Sequence, residues 1–504
     1  MKLDSILKVI KPKYPDNRHK TDDSGEKEVA LLGDFFSRIG AGALFESEDS
    51  NDLGNLRDAL QNAVIQLLDF KRPYLEAEKG LQWPYDAFRK CKPLFEDMVQ
   101  KGTSSVLKTE ALLFLARLPF PGQWEYLIEA EQALHYHPEI RNLHRFETEN
   151  IQQKIRNRAQ KTYRIRRFCQ ILKRPRLPTE KGVLRIFSLL YLFIDKELLE
   201  QLNRHYVLYI EPTAGVMCRH TWLRAFSQLS DPCIFGVAGK EDTGYIDSQP
   251  GIATTRLAHA DFLQDDTPAK AHCEKQFDIV FVGTFDEMRR KRHLRMLELL
   301  LHPKLSDATA LIIGQGSQTN IGKFNETVQQ YGLSDRVTVL SNRPRKEIPD
   351  YLSRCRIAVH LALHENGCRC IYEYFRSDVP CVISSYTAGV NFNIFNSKTG
   401  MAVPDTDLAE TVCYVLENTN SFSPRQWFLS ESGSTNGSAR LNSRFKEFFS
   451  HRGYDWTEDI VPLGSGGANR YVTASDYERF RPDFQMLYDI FTRKTGFPVK
   501  LSMD

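Results

Sequence analysis

The period of the apolar positions changes along the chain, and the changes divide it. Residues 1–27 are polar and charged and read as a loose tail. From Glu28 the apolar residues recur at three- and four-residue spacing, first Leu31, Leu32, Phe35 and Phe36, then Leu56, Leu60, Val64, Leu67 and Leu68. That is the repeat of amphipathic helices. Further helical stretches cover roughly 105–116 and 123–135, separated by Pro119 and Pro121. Residues 28–175 are therefore expected to form a helical region, closed by Pro175 and Pro178. Beyond it the apolar residues come in short continuous blocks at 183–194, 206–210, 233–237 and 252–258, which read as strands. Helical stretches near 196–203 and 221–228 separate some of them. Residues 180–275 are thus expected to be a first Rossmann-like α/β unit.

A second α/β unit spans 276–418. Its first strand, 278–282, ends at Gly283, and a loop over 284–290 leads to a helix at 293–301. The strand 310–313 is followed by Gly314-Gln315-Gly316 and a helix reaching Gln330. The strand 337–340, the loop 341–345 and the helix 348–354 come next, then a buried strand at 357–363. Four strand–loop–helix repeats in succession imply a parallel sheet with helices on both faces. Residues 419–504 are an extension with Gly/Ser-rich loops at 430–438 and 464–467. It ends in an amphipathic helix at about 475–494 that bears Phe480, Phe484, Leu487, Tyr488 and Ile490.

The stretch with the most chemistry follows the strand 357–363. It reads His364-Glu365-Asn366-Gly367-Cys368-Arg369-Cys370-Ile371-Tyr372-Glu373. Glu365 lies in the loop at the strand's carboxyl end and Glu373 about a turn inside a short helix, both facing one crevice. Open parallel sheets bind ligands at such a crevice, and amides at a helix N-terminus can hold phosphate. Arg289, Arg290, Lys291 and Arg292 cluster where the helix after the first strand begins. A lysine there can neutralise a diphosphate leaving group. In the first unit the strand ends and loops carry Glu211, His220 and His259, which would line one edge of a crevice, the histidines as candidate polar contacts to a sugar.

Composition narrows the classes. The chain is 41% hydrophobic with a net charge of +3. It is neither a nucleic-acid-coating protein nor one with a span long enough for a bilayer. Ten cysteines carry no CxxC pair and read as reduced thiols of a cytoplasmic protein without a signal peptide. Cys368 and Cys370, placed on one helix, are expected to point to different faces and not to share a metal. Residues 154–176 hold ten basic and no acidic residues. They are expected either to meet anionic lipid at the inner face of a membrane or a phosphorylated acceptor, or to form a solvated face paired with acidic neighbours. Asp405-Thr406-Asp407 reads as a surface turn.

The region from about Asp278 to Glu417 resembles the nucleotide-binding domain of retaining glycosyltransferases of the GT-B fold, family 4. The likeness rests on Phe281-Val282-Gly283, Ile313-Gly314-Gln315-Gly316, Leu333-Ser334-Asp335-Arg336-Val337 and Ile348-Pro349-Asp350-Tyr351-Leu352. It also rests on the glutamates Glu365 and Glu373, on Val379-Pro380-Cys381-Val382 and on Gly400-Met401-Ala402-Val403-Pro404. The resemblance implies a GT-B-like pair of Rossmann-like domains, here with an additional N-terminal helical region. It implies Glu365 beside the transferred sugar, Glu373 on the ribose hydroxyls, and the amides of Asn366, Gly367 and Cys368 on the diphosphate or sugar. Asn342 and Arg343 would flank the base. Gly283, Gly314 and Gly316 would line the donor, and Lys291 would take the family's lysine role. Thr284 stands where the family has arginine, with Arg289 or Arg290 in compensation, and Asp378 stands where the family has glycine.

The activity so implied is transfer of a hexose-type sugar from a nucleotide-sugar to a glycan, lipid-linked or protein acceptor, as in polysaccharide biosynthesis. The anomeric configuration is retained, and neither a metal nor a cofactor beyond the co-substrate is expected. Two rivals stand beside it. One is a GT-B-like binding or scaffold protein without transferase activity, acting through its helical region. The other is a nucleotide-sugar epimerase.

Overall fold

The computed structural model describes residues 169–187, 196–212, 229–247, 251–265, 274–363, 365–465 and 471–495, with Phe226 and scattered positions between 92 and 136. The expected tail, the helices of 28–90, residues 154–168, most of the 221–228 stretch and His220 lie outside the described residues. Within the N-terminal region, α1 (Ser105–Leu115) places Leu112 against Ala130, with Val99 and Tyr126 beside them.

Two α/β units follow. In the first, β1 (Cys169–Lys173), β2 (Gly182–Phe187), β3 (Tyr206–Glu211), β4 (Cys233–Gly236) and β5 (Ile252–Thr255) form a sheet in that order. β1 is antiparallel to β2, and the other neighbours are parallel. α2 (Lys196–His205) and α3 (Lys240–Asp247) connect successive strands. The core of this sheet is completed from far along the chain. Leu441, Phe445 and Phe449 of α10 (Gly433–Arg452) and Phe480, Phe484, Leu487 and Phe491 of α11 (Ala474–Thr495) are buried in the same cluster as the strands.

The second sheet comprises β6 (Phe277–Val282), β7 (Ala310–Gly314), β8 (Val337–Ser341), β9 (Cys355–His360), β10 (Cys381–Ser384) and β11 (Gly400–Val403). Its spatial order is β11-β10-β9-β6-β7-β8, all parallel. That is the doubly wound order, with its reversal between β6 and β9. Inner strands buried on both faces need apolar residues at every position, and Ile279, Val280 and Phe281 show how the two faces are shared. Ile279 and Phe281 join a cluster with α4 (His293–Leu300), α5 (Gln318–Gln330) and α8 (Leu408–Glu417). Val280 joins the opposite cluster, with Leu352 of α6 (Ile348–Ser353), Ile371 of α7 (Arg369–Arg376) and Phe428 of α9 (Pro424–Glu431). The molecule is thus a GT-B-like pair of Rossmann-like units whose last helices return to the first unit.

The basic stretch departs from expectation where it is described. Cys169–Lys173 is a wholly buried strand, and Lys173 is not a surface cation: it is ion-paired with Glu180, both fully buried. Arg174 pairs with Asp483 at 2.9 Å and Arg176 with Glu458 at 3.1 Å. The described part of 154–176 is therefore paired with acidic neighbours, and a membrane contact has no support from it. No described helix is long and apolar enough to cross a membrane.

The units touch where side chains are absent. A Cβ on Gly239 would lie 2.7 Å from the Cα of Gly389, and one on Gly367 would lie 2.3 Å from the Cβ of Ala258. Around this contact Tyr372 donates to Asp261 at 3.0 Å, Arg376 to the Gln264 carbonyl at 2.7 Å, and Asn366 to the Pro212 carbonyl.

Candidate active site

The reversal of strand order separates the loops after β6 and β9, and the crevice between them is where an open parallel sheet offers room for a ligand. The loop after β6 is held close to the loop after β7. Gly283 donates its amide to the Ile313 carbonyl at 2.9 Å, and a Cβ on Gly314 would lie 2.0 Å from the Gly283 oxygen, so only glycine fits. The Thr284 hydroxyl donates to the Gln315 carbonyl at 2.9 Å and accepts from the Asp286 amide. Asp286 in turn accepts from the Ser317 amide at 2.8 Å and the Asn320 side chain at 2.9 Å. Thr284, standing where an arginine was expected, is spent on this local staple.

A single helical turn, Met288–Lys291, follows, and Arg292 turns the chain into α4 through a left-handed backbone, φ 60°. The Leu363 amide donates to the Arg290 carbonyl at 3.0 Å, which docks the turn on the loop after β9. Lys291 Nζ thereby reaches Glu365 Oε1 in a direct ion pair, and Arg290 Nη1 lies 3.6 Å from the same oxygen. Burial alone would push Glu365 up. The charges of Lys291, Arg290 and His360 outweigh it and hold the carboxyl well below its usual range. Burial likewise disfavours the Lys291 ammonium, but Glu365 together with Cys368 and Cys370 outweighs it, so the lysine is raised. Arg290 also pairs with Glu287, whereas Arg289 is exposed.

Glu373 lies in the first turns of α7. It accepts from Arg369 Nε at 2.7 Å, and Arg345 Nη2 lies 3.8 Å away. A ribose at Glu373 would therefore meet two arginines as well. Asn342, at φ 54°, folds its side chain onto Gly316, donating to its carbonyl and accepting from its amide, both at 3.1 Å. Arg343 beside it is exposed.

Several sequence expectations are corrected. The Gly367 amide donates to the Gly389 carbonyl at 3.0 Å, because the loop is tied to the segment after β10. Of the three amides expected to meet the donor, this one is engaged. Asn366 is buried against the first unit. Glu211 is not an acceptor contact: it is a fully buried partner of Arg185, which donates Nε to it at 2.8 Å from the neighbouring strand. His259 is half-buried at the cleft, edge-on to Phe187 at 6.1 Å. Burial, with Arg185 and Arg369 nearby, lowers it to about 4, so it is a neutral imidazole. Asp405 is no surface residue. It is buried, accepts from Ser384 Oγ at 2.6 Å and pairs with the buried Arg292.

Cys368 and Cys370 do not point apart. α7 begins only at Arg369, and Cys368 is non-helical at φ −53° and ψ 108°. Their sulfurs lie 3.0 Å apart, and His360 Nδ1 is 3.6 Å from Cys370 Sγ. His360 and Arg369 were missed by the sequence reading. Arg369 had a legible signal, its spacing of four before Glu373. His360 had none, since it closes an apolar strand.

Residues 264–426 match the family described as glycosyl transferases group 1. No curated protein matches the chain by sequence. Among solved structures, a mutant of S. aureus TarM in complex with fondaparinux, alpha-GlcNAc-glycerol and UDP is similar at 14% identity. That match covers 49% of this chain and 51% of the other, with a TM-score of 0.40. Sucrose-phosphate synthase from Thermosynechococcus elongatus is similar at 17% identity over 53% of this chain and 73% of the other, TM-score 0.41. Anabaena Alr3699/HepE in complex with UDP and glucose is similar at 14% identity over 52% and 78%, TM-score 0.42.

Proposed function

We propose that this chain transfers a hexose-type sugar from a nucleotide-sugar donor to a glycan, lipid-linked or protein acceptor, with retention of anomeric configuration. The observation that carries the reading is the meeting of Lys291, Arg290 and Glu365 at the strand-order reversal of the unit matched to the group 1 glycosyl transferases. Breaking an anomeric bond builds positive charge on the sugar and negative charge on the departing diphosphate. Fixed cations beside that phosphate stabilise the transition state.

In this reading donor entry exchanges partners. A diphosphate oxygen replaces the Glu365 carboxylate at Lys291, and Arg290 stays within reach of both. The freed carboxylate then faces the sugar, where its negative charge favours the cationic anomeric carbon. Glu373 holds the ribose hydroxyls. The leaving phosphate takes the acceptor's proton, which returns the phosphate's charge to one the cations can release. No step is routed through a metal. A donor-binding screen by ligand-observed NMR tests the reading, with UDP-, GDP- and ADP-sugars against wild type and Glu373→Ala. One donor bound by wild type and lost by the variant supports it; no donor bound by wild type overturns it.

The same pairs favour a second reading. Lys291 and Glu365 neutralise each other, and Arg369 already occupies Glu373. A binding or scaffold protein that holds no donor, or holds one without turnover, fits those pairs too, and turnover of a bound donor separates the two.

A further inference from the structure

Three soft or borderline donor atoms converge beneath Glu365. His360 ends β9, Cys368 precedes α7 and Cys370 lies in its first turn. Their ligand atoms lie within 4.8 Å of one another, and among the described residues they are the group of this kind that stands out. His360 and Cys368 are buried, and Cys370 is half-buried. We propose that His360, Cys368 and Cys370 bind a single divalent cation of the zinc class, which fixes the loop that carries Glu365.

One of the distances already suits a metal. In a tetrahedral zinc site with ordinary Zn–S and Zn–N bonds, a sulfur and a nitrogen lie about 3.6 Å apart. Cys370 Sγ and His360 Nδ1 are separated by 3.6 Å. The two sulfurs, at 3.0 Å, are too far apart for a disulfide bond, and they would have to open to the about 3.8 Å that two thiolates keep on a tetrahedral zinc. Two thiolates and one imidazole are a donor set that selects zinc over magnesium or calcium. The other imidazole nitrogen also finds a use. His360 Nε2 is buried without a hydrogen-bond partner, 3.6 Å from Glu365 Oε1. With Nδ1 on the metal, the proton must sit on Nε2 and point to that carboxylate. Metal-bound histidines commonly make such a link.

The cation displaces two thiol protons to solvent, together with the Nδ1 proton of His360 where the imidazole is charged in the metal-free site. Three protein ligands leave a fourth position for water. The ligands bracket the loop from Leu361 to Gly367, so the ion would act as a clasp across it, and Glu365 would be positioned through His360.

The test is metal analysis of the full chain, purified without chelators and after reconstitution with Zn²⁺. About one zinc per chain is expected, and none after dialysis against a strong chelator. Replacement by Co²⁺ should give the sulfur-to-cobalt charge-transfer absorption of thiolate ligation. Cys370→Ser should lose both, while Cys413→Ser, remote from the cluster, should keep both. If Cys370→Ser does not fold, wild type suffices: Zn²⁺ should protect Cys370 from alkylation mapped by mass spectrometry. A wild type without zinc before and after reconstitution, with both thiols alkylated at equal rates, would overturn the proposal. So would a Cys368–Cys370 disulfide recovered under non-reducing conditions that reduction does not convert into a zinc-binding form. None of these readouts involves a donor sugar, so the proposal and the transferase reading fail separately.

Discussion

Lys291 and Glu365, 74 residues apart in sequence, neutralise each other at the centre of the crevice. Each is about nine-tenths buried, and each needs the other to stay charged there. If the carboxylate guides the sugar and the ammonium holds the phosphate, the two replacements should differ in kind. Glu365→Ala should lower kcat about 100-fold with little change in donor affinity. Lys291→Ala should weaken donor binding about tenfold. Steady-state kinetics with calorimetric donor titration would show the split, and identical near-wild-type values in both variants would sink the assignment.

Thr284 is expected to matter for stability and not for the donor. Its hydroxyl joins two loops through Gln315 and caps the turn at Asp286. Thr284→Ala should destabilise the protein by about 1 kcal/mol, the usual loss of such a cap, and Thr284→Ser should restore most of it. Chemical denaturation measures this. A large loss of donor affinity in a folded Thr284→Ala would show that the hydroxyl meets the ligand instead.

Beneath the site, Arg292 and Asp405 form a buried pair supported by Ser384. Removing one partner leaves an uncompensated buried charge, an effect of about 3–5 kcal/mol. Asp405→Ala should therefore lower the unfolding midpoint sharply, while the double variant Arg292→Met with Asp405→Leu should recover part of the loss. A thermal melt of the three variants suffices. An Asp405→Ala midpoint within a degree of wild type would show that the pair contributes nothing.

His293 provides a pH signature. It is fully buried among Phe281, Phe285 and Phe324, with Nδ1 near the Met288 carbonyl. Burial lowers it from 6.5 to about 4. The unfolded chain then binds more protons between those values, so stability is complete above about pH 6.5 and falls as pH drops towards 4. Between pH 7 and 5 the loss attributable to His293 should be about 2 kcal/mol. Urea titrations at both pH values, with wild type and His293→Phe, would isolate it. Equal pH slopes in the two proteins would show that the imidazole takes up its proton as readily in the folded as in the unfolded state.

The legible parts of the molecule were those whose partners do not matter. β6, β7, β9 and β10 announce themselves because strands buried on both faces must be apolar throughout. The crevice followed from their loops, whereas the direct pairing of Lys291 with Glu365 across it did not. What stayed hidden depended on distant partners. Lys173 reads as a surface cation until Glu180 is found opposite it, and Glu211 reads as a strand-end ligand until Arg185 closes on it. Asp405 looks like part of a polar turn because Arg292, which buries it, lies 113 residues earlier. The cysteine pair was misjudged by a single residue: starting the helix at Arg369 and not before it swings Cys368 round beside Cys370. Asp378, which stands where the family has glycine, needs no distant partner to be understood. Its φ of 59° is the left-handed backbone that aspartate tolerates better than most residues.

The contact between Gly239 and Gly389 bears on how the two units can move. Bare backbone meets bare backbone there, so there are no interlocked side chains to disengage. The spot is a bearing, and a change in cleft width would be resisted by Ala260 and Leu263, which are buried in the second unit's core, and by polar ties: Tyr372 to Asp261, Arg376 to Gln264 and Asn366 to Pro212. Such ties can be remade with water at little net loss. A methyl group at Gly239 would turn the bearing into a wedge, while one at Gly389 would drive into the Glu365 carbonyl, 1.7 Å away. The width of the cleft and the placement of its central carboxylate thus depend on two bare glycines in contact, one for each.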